Sequence, residues 1–315
     1  MISLGVDFLS EMPPPSYTLA FEPFLYNEEA YLRLKKGERY SFYAVDHAQR
    51  QVLARIHFVL VADASGDLRA VSLPESPFGS VEYGSLMNSS VLLSFVRFAV
   101  DTLKGRGVGV IEIRDCIPAY RPTGENSARL SSILEDVGFQ KQDVSVNHHI
   151  KITKDALEEK MHRMEQKRLR KCKKANFLFQ VEPLTRVGFY YGFLSRCRSE
   201  KGWNLSIGPK EMKLVTEELP KSYRIFALYH NQQCIAACIG VIVNRHIFYD
   251  LYHDSLRAYS AYSPVVMLIA HMYYHLRSHH IRMLDMGTSL TPSLQSFKAR
   301  VGGEYSSKIT FAMLM

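Results

Sequence analysis

The sequence predicts an α/β protein with a mixed sheet, built as two tandem units. Three observations carry that expectation. Residues 39–56 align without a gap on residues 222–239, with six identical pairs: Tyr40/Tyr223, Ala44/Ala227, His47/His230, Gln49/Gln232, Ala54/Ala237 and Ile56/Ile239. The segments after each copy come in the same order of apolar and polar patterns. Early strands joined by tight turns run antiparallel, and later strands joined through helices run parallel by right-handed crossover.

Each copy reads as strand, polar turn, strand, with residues 47–50 and 230–233 as the turns. A strand near 81–86 follows the first copy. A helix over 89–104 comes next, with Leu92, Phe95, Val96, Ala99 and Leu103 on one face, and Gly105 and Gly107 stop it. A strand at 108–113, a short helix at 127–136 and a strand at 145–152 complete the first series. After the second copy come a strand at 247–252 and a helix at 264–279 with Val265, Leu268, Ile269, Met272 and Leu276 at helical spacing. A strand at 282–286, a helix at 292–300 and a strand at 308–314 close the chain. Leu130, Ser132, Val137 and Gly138 answer Leu294, Ser296, Val301 and Gly302, as duplication predicts. Residues 155–174 read as one helix opening the second unit. The boundary is therefore expected near Thr153, with units at 1–153 and 154–315.

The 315 residues are 47% hydrophobic and 22% charged, which excludes a largely disordered chain, a collagen and a coiled-coil rod. The apolar run at 234–243 is too short to span a membrane and contains Gly240. Residues 1–17 lack Lys and Arg, so no secretory signal is expected, and five scattered cysteines suggest no disulfide framework. Together these point to a reduced, cytoplasmic protein. Residues 1–153 hold 15 Lys/Arg against 18 Asp/Glu, and residues 154–315 hold 24 against 13. The net charge of +8 therefore comes from the second half alone, where an anionic partner is expected.

Three stretches carry a family resemblance. They are Gln166-Lys-Arg-Leu-Arg-Lys-Cys-Lys-Lys-Ala175, Leu284-Asp-Met-Gly-Thr-Ser289 and Leu294-Gln-Ser-Phe-Lys-Ala-Arg-Val-Gly-Gly303. In this order and spacing the chain resembles a tandem GNAT-fold acyltransferase of the Fem type and its bacterial relatives. The resemblance implies movement of an acyl or aminoacyl group from an activated ester or thioester, such as acyl-CoA or aminoacyl-tRNA, to an amine. It places the acceptor in a cleft between the units. One departure stands out: Arg257-Ala-Tyr-Ser-Ala-Tyr-Ser-Pro264 and Leu86-Met-Asn-Ser-Ser90 occupy the places of a Gly-rich pyrophosphate loop.

The resemblance assigns Lys298 to stabilising the carbonyl oxygen as it gains charge, with Phe297 as its apolar neighbour. Asp285, ending a buried-looking strand, would take the amine proton, orient Lys298 or cap the turn after it. Tyr249 and Tyr252, three apart on a strand, are expected on opposite faces, with Tyr252 as the candidate to steady the donor carbonyl. Ser263 and Pro264 have the chemistry of a helix start, whose N–H groups can meet a phosphate, and Arg257, Tyr259 and Tyr262 would add donors. Lys167, Arg168, Arg170 and Lys171 belong to eight Lys/Arg in residues 160–174, balanced there by Glu165 alone, and would contact phosphate or RNA. His271, His275 and His279 lack the carboxylate motif of a metal helix, so neither a metal nor a covalent cofactor is expected. Cys234 and Cys238 read as core residues. The reading is an N-acyltransferase or aminoacyltransferase with an anionic donor (nucleotide, CoA or tRNA) on the second half and a small amine acceptor. The alternative is a non-catalytic tandem unit that binds an anionic ligand or RNA.

Overall fold

The computed structural model describes residues 5–62, 66–121 and 124–315. The first series of elements is β1 (Val6–Leu9), β2 (Thr18–Leu19), α1 (Glu29–Leu32), β3 (Arg39–Asp46), β4 (Gln51–Ala62), β5 (Leu68–Val71), β6 (Glu82–Tyr83), α2 (Ser89–Lys104), β7 (Val110–Arg114), α3 (Gly124–Val137) and β8 (Gln140–Lys151). The second is α4 (Leu157–Lys160), α5 (Arg163–Lys174), β9 (Leu178–Glu182), α6 (Val187–Ser199), α7 (Pro209–Glu218), β10 (Tyr223–His230), β11 (Gln233–Asn244), β12 (Ile247–Ser255), α8 (Pro264–Ser278), β13 (Met283–Thr288), α9 (Pro292–Arg300) and β14 (Glu304–Leu314). Among the described residues, no helix is long and apolar enough to cross a membrane.

The repeated segments are the two hairpins β3–β4 and β10–β11. Their shared alanines are cross-strand partners, Ala44 with Ala54 and Ala227 with Ala237, and all four are fully buried. In unit 1 the Ala44 and Ala54 pair shares a face with Phe42 under α2, whereas in unit 2 Phe226 lies on the face opposite Ala227 and Ala237, with Leu228 and Cys238 under α8. The second hairpin closes through Asn231 and Gln232, both at positive φ, a two-residue connection matched to strand twist.

In the first unit the strand order is β1-β3-β4-β5-β7-β14, with β5 and β7 parallel and the other neighbours antiparallel. In the second it is β9-β10-β11-β12-β13-β8, with β12 and β13 parallel and the others antiparallel. From the repeated hairpin onward the two sheets have the same topology. Each takes its closing strand from the other half of the sequence. Unit 1 comprises Met1–Ser145 with Ser307–Met315, and unit 2 comprises Val146–Ser306. The division thus falls at Ser145 rather than near Thr153, because two equivalent strands have changed places.

Two local expectations need correction. The strand that answers β12 is β5, not residues 81–86, of which only Glu82 and Tyr83 pair, with β4. The helix expected over 155–174 is two helices. Met161 is extended, and His162 starts α5 by accepting the Met164 N–H at its Nδ1 (3.3 Å) while its own N–H donates to Arg300 O (2.8 Å). The apolar face foreseen for α2 is buried at all five positions. In unit 2, α8 and α5 pack on one face of the sheet, and α6 packs against β11 and β12 with α7 beside it.

The exchange of strands makes a prediction. Phe311 of β14 is fully buried in the first unit's core. Phe311→Ala should cost about 3–5 kcal/mol, and native-state hydrogen exchange should quicken in β3, β4 and β7 while β10–β12 keep their protection. Faster exchange confined to β10–β12 would refute the assignment.

Candidate active site

β12 and β13 pair only through Ile247↔Met283, Phe248↔Leu284 and Tyr249↔Asp285. β12 continues to Ser255 and β13 to Thr288, so beyond this point two adjacent parallel strands part. The backbone groups of an interior strand are left there for something other than a ladder partner.

Lys298 supplies part of that replacement. α9 starts with Thr291, whose hydroxyl accepts the Leu294 N–H, and Pro292 at its first position. The helix carries Lys298 inward: the residue is 2% exposed, and its Nζ donates to Gly287 O (2.8 Å) and Thr288 O (3.0 Å). Burial pushes its pKa down from 10.5 to about 8, against the pull of Asp250 and then Asp285, with Arg198 adding a smaller push in the same direction. Phe297 beside it packs on the core under α8.

Asp285 is 2% exposed and accepts hydrogen bonds from Asn147 Nδ2 (2.8 Å) and the Gly287 N–H (2.6 Å). It fixes the turn whose carbonyls hold Lys298. Gly287 is left-handed (φ 71°), and a Cβ there would stand 2.9 Å from the Tyr249 hydroxyl. Two buried histidines from β8 flank this turn. His148 Nδ1 meets Ser289 Oγ (3.0 Å), His149 Nδ1 meets Ser306 Oγ (3.2 Å), and His149 Nε2 is buried without a hydrogen-bond partner. Burial lowers both pKa values, and Lys298 lowers that of His148 further.

The alternation along β12 is broken by a bulge. Gly240 faces Asp250 and Ile239 faces Tyr252, so Leu251 has no partner of its own. Phe248 packs with Phe226 and Cys238 in the core under α8, whereas the Tyr252 hydroxyl bonds the Ile207 N–H (2.9 Å) and Ser206 Oγ (2.6 Å) between α6 and α7. Residues 248 and 252 therefore lie on opposite faces. Tyr249 shares a face with Tyr252, contrary to the period-two expectation. The Tyr252 hydroxyl is committed to that connection and leaves the set of candidate catalytic groups. The bulge also brings together two residues that the sequence reading passed over. Asp250, with a fully buried side chain, accepts a 2.5 Å hydrogen bond from His253 Nδ1 and one from Cys238 Sγ (3.4 Å). An acid and an imidazole three apart, set among the apolar and aromatic residues of Ile247–Tyr252, were the available signal.

The expected donor-binding residues divide. Arg257 is exposed on a short turn of 3₁₀ helix. Tyr259 bonds His230 Nδ1 (3.1 Å), and Tyr262 lies under Lys171, 4.8 Å from its Nζ. Ser263 does not cap α8 with its side chain. It takes the left-handed conformation (φ 56°, ψ 58°) that a glycine would supply in a Gly-rich loop. On α5, Lys171 is tied to Ala261 O (2.8 Å), and Arg168 is paired with the buried Glu165, which also holds Arg300. Lys167 and Arg170 are exposed. His271 stacks on Phe179 (4.8 Å), and Cys234 and Cys238 are buried and free.

Two substitutions at left-handed positions have opposite expected signs. Ser263→Gly should raise stability by about 1 kcal/mol, by relieving a left-handed side chain. Gly287→Ala should lower it by about 1–2 kcal/mol, by creating one. Thermal unfolding of both variants checks the opposite signs.

Residues 211–298 match the acetyltransferase (GNAT) domain family. The fold is similar to that of FemX, at 12% identity over 94% of each chain with a TM-score of 0.73. It is also similar to L-PGS from Bacillus licheniformis, at 13% identity over 87% of this chain and 83% of that one (TM-score 0.53). A tandem GNAT protein from the clavulanic acid biosynthesis pathway aligns at 9% identity over 88% and 83% of the two chains (TM-score 0.52). No curated protein matches in sequence.

Proposed function

From a GNAT domain in the second unit and a fold shared with FemX, we propose that this chain is an N-acyltransferase or aminoacyltransferase. Its donor is an activated ester or thioester, acyl-CoA or aminoacyl-tRNA, and its acceptor a small amine. The observation that carries this reading is the buried Lys298 ammonium, held by two carbonyls where β12 and β13 part. When an amine adds to an activated carbonyl, negative charge grows on the oxygen. A cation already desolvated and oriented stabilises that charge more than water does, because it needs no reorganisation. Asp285 acts here as a positioning residue, through the Gly287 N–H, rather than as the proton acceptor. No covalent intermediate is required, since the amine is the nucleophile.

The first unit supports a division of labour. The chain beyond β5 stays bonded to β7: the Ser72 N–H donates to Glu112 O (2.8 Å), and the Gly79 N–H donates to Arg114 O (2.9 Å). The Ser72 hydroxyl also accepts the Arg114 N–H (2.8 Å). The position that is open between β12 and β13 is filled in unit 1, which favours a single catalytic unit. The Leu73-Pro-Glu-Ser-Pro-Phe-Gly79 segment makes this closure.

Native mass spectrometry of the purified chain, followed by turnover assays with acyl-CoA and aminoacyl-tRNA donors, tests the reading. Lys298→Met should keep the fold and slow turnover by about 10²-fold or more, the scale of one lost oxyanion donor. Wild-type rates in this variant would remove the proposed electrostatic role, and absence of transfer from either donor would favour the non-catalytic binding reading.

Activity should fall as pH rises through about 8, where Lys298 loses its proton. The folded chain binds fewer protons at this residue than the unfolded chain between about 8 and 10.5, so the burial penalty is relieved as pH rises through that window. The alkaline loss of activity is therefore not unfolding, and thermal melts at matched pH distinguish the two.

The donor class is tested at α5. With aminoacyl-tRNA, Lys167→Glu with Arg170→Glu should raise KM at least about 10-fold and flatten its salt dependence, because phosphate contacts release counterions. An unchanged KM for aminoacyl-tRNA would remove α5 as its phosphate contact.

A further inference from the structure

Lys298 accounts for the charge on oxygen but not for the proton the acceptor nitrogen must lose. Asp285 is engaged by Asn147 and Gly287, and the Tyr252 hydroxyl by Ser206 and Ile207. We propose that Asp250 and His253 of β12 form a proton-accepting dyad, with His253 Nε2 as the general base for the acceptor amine and Asp250 as its positioning residue. This inference rests on the transferase reading.

Three features of the geometry point to it. The bulge at Leu251 is the first. Residues three apart on a regular strand face opposite sides, and only the unpaired residue turns Asp250 and His253 to the same side. The second is the bond itself. The Asp250 side chain is fully buried, and its Oδ2 lies 2.5 Å from His253 Nδ1. A carboxylate is acceptor-only, so this contact requires a proton on Nδ1, and in the neutral ring the lone pair then stands on Nε2. The His253 side chain is 17% exposed, enough for its outer edge to meet a ligand. The third is placement. Both residues lie on the part of β12 that has separated from β13, and Asp250 is the largest single charge acting on Lys298. Cation and base therefore both lie past the end of the β12–β13 pairing, Lys298 reaching from α9 to the carbonyls of β13 and His253 standing on β12. Cys238, the cross-strand partner of His253, donates its Sγ to the other Asp250 oxygen and holds the carboxylate in place.

The step balances as follows. The amine nitrogen forms a bond to the donor carbonyl carbon while His253 Nε2 takes one nitrogen-bound proton. Lys298 steadies the oxygen. The carbonyl re-forms, and the bond to the leaving sulfur or oxygen breaks with its electron pair. That atom receives the proton from His253 Nε2, which regenerates the neutral ring. The products are an amide and a free thiol or hydroxyl, with no other reactant.

Two measurements on the full chain decide the matter. With the donor and amine that the wild-type chain turns over, His253→Gln should lower kcat by about 10²–10⁴-fold, the range for a general base, with KM changed less than about threefold. Glutamine keeps a donor toward Asp250, so the fold should hold. Added imidazole should restore turnover to His253→Ala but not to Lys298→Met. Wild-type kcat in His253→Gln would overturn the dyad and leave the transferase reading intact. Independently of activity, long-range ¹H–¹⁵N spectra of ¹⁵N-histidine-labelled chain, assigned with His253→Gln, should show the His253 proton on Nδ1. Asp250→Asn should disturb that tautomer. A proton on Nε2 alone in the wild-type chain would overturn the dyad even where no donor is turned over, whereas failure of every donor with the proton on Nδ1 would remove the transferase reading and with it the role of His253 as general base.

Discussion

The separation of two parallel strands organises the second unit. Parallel neighbours in an interior sheet normally bond along their full length, since an unpaired buried peptide group is costly. Here β12 and β13 stop pairing after Tyr249 and Asp285, and what surrounds the gap answers that cost. Lys298 bonds the last two carbonyls of β13, and Asp285 takes up the Gly287 N–H. The bulge at Leu251 ends the regular course of β12 and turns Asp250 and His253 to one side. A buried ammonium is tolerable because two carbonyls and two nearby carboxylates offset its lost hydration. The same burial that lowers its pKa keeps it out of water.

The exchange of β8 and β14 gives both units the same sheet with different consequences. Unit 1 closes the corresponding gap with Ser72 and Gly79, and unit 2 leaves it open. In unit 2 the closing strand β8 also delivers Asn147, His148 and His149 to the turn beside Asp285. Residues from the first half of the sequence therefore take part in the site of the second unit.

The positive charge of the second half is less free than its count implies. Arg168 answers the buried Glu165, Lys171 anchors the loop before α8, and Lys173 pairs with Glu158. The helix α5 is as much a clamp on α8 and α9 as a basic surface. Ser263 fills a left-handed position by strain where a Gly-rich loop would fill it by flexibility, so the absence of the glycine pattern does not imply a different backbone course.

Periodicity and duplication, which are local, were legible in the sequence. The repeated hairpins, the α2 stripe from Leu92 to Leu103 and the start of α9 at Thr291-Pro292 follow from spacing and caps. The match around Lys298 singled out a residue that the structure buries against the carbonyls of Gly287 and Thr288. Tertiary structure decided what depends on partners distant in sequence. Which strand closes each sheet is settled by the pairing of β8 with β13 and of β14 with β7, partners more than a hundred residues apart. Whether Lys298 is solvated or buried depends on the carbonyls of Gly287 and Thr288. The joint facing of Asp250 and His253 arises from one unpaired residue in a β11–β12 register that no one-strand pattern encodes. Short-range propensity sets where elements begin and end, but pairing between elements, from about a dozen residues apart in β11–β12 to more than a hundred in β8–β13, sets which groups meet.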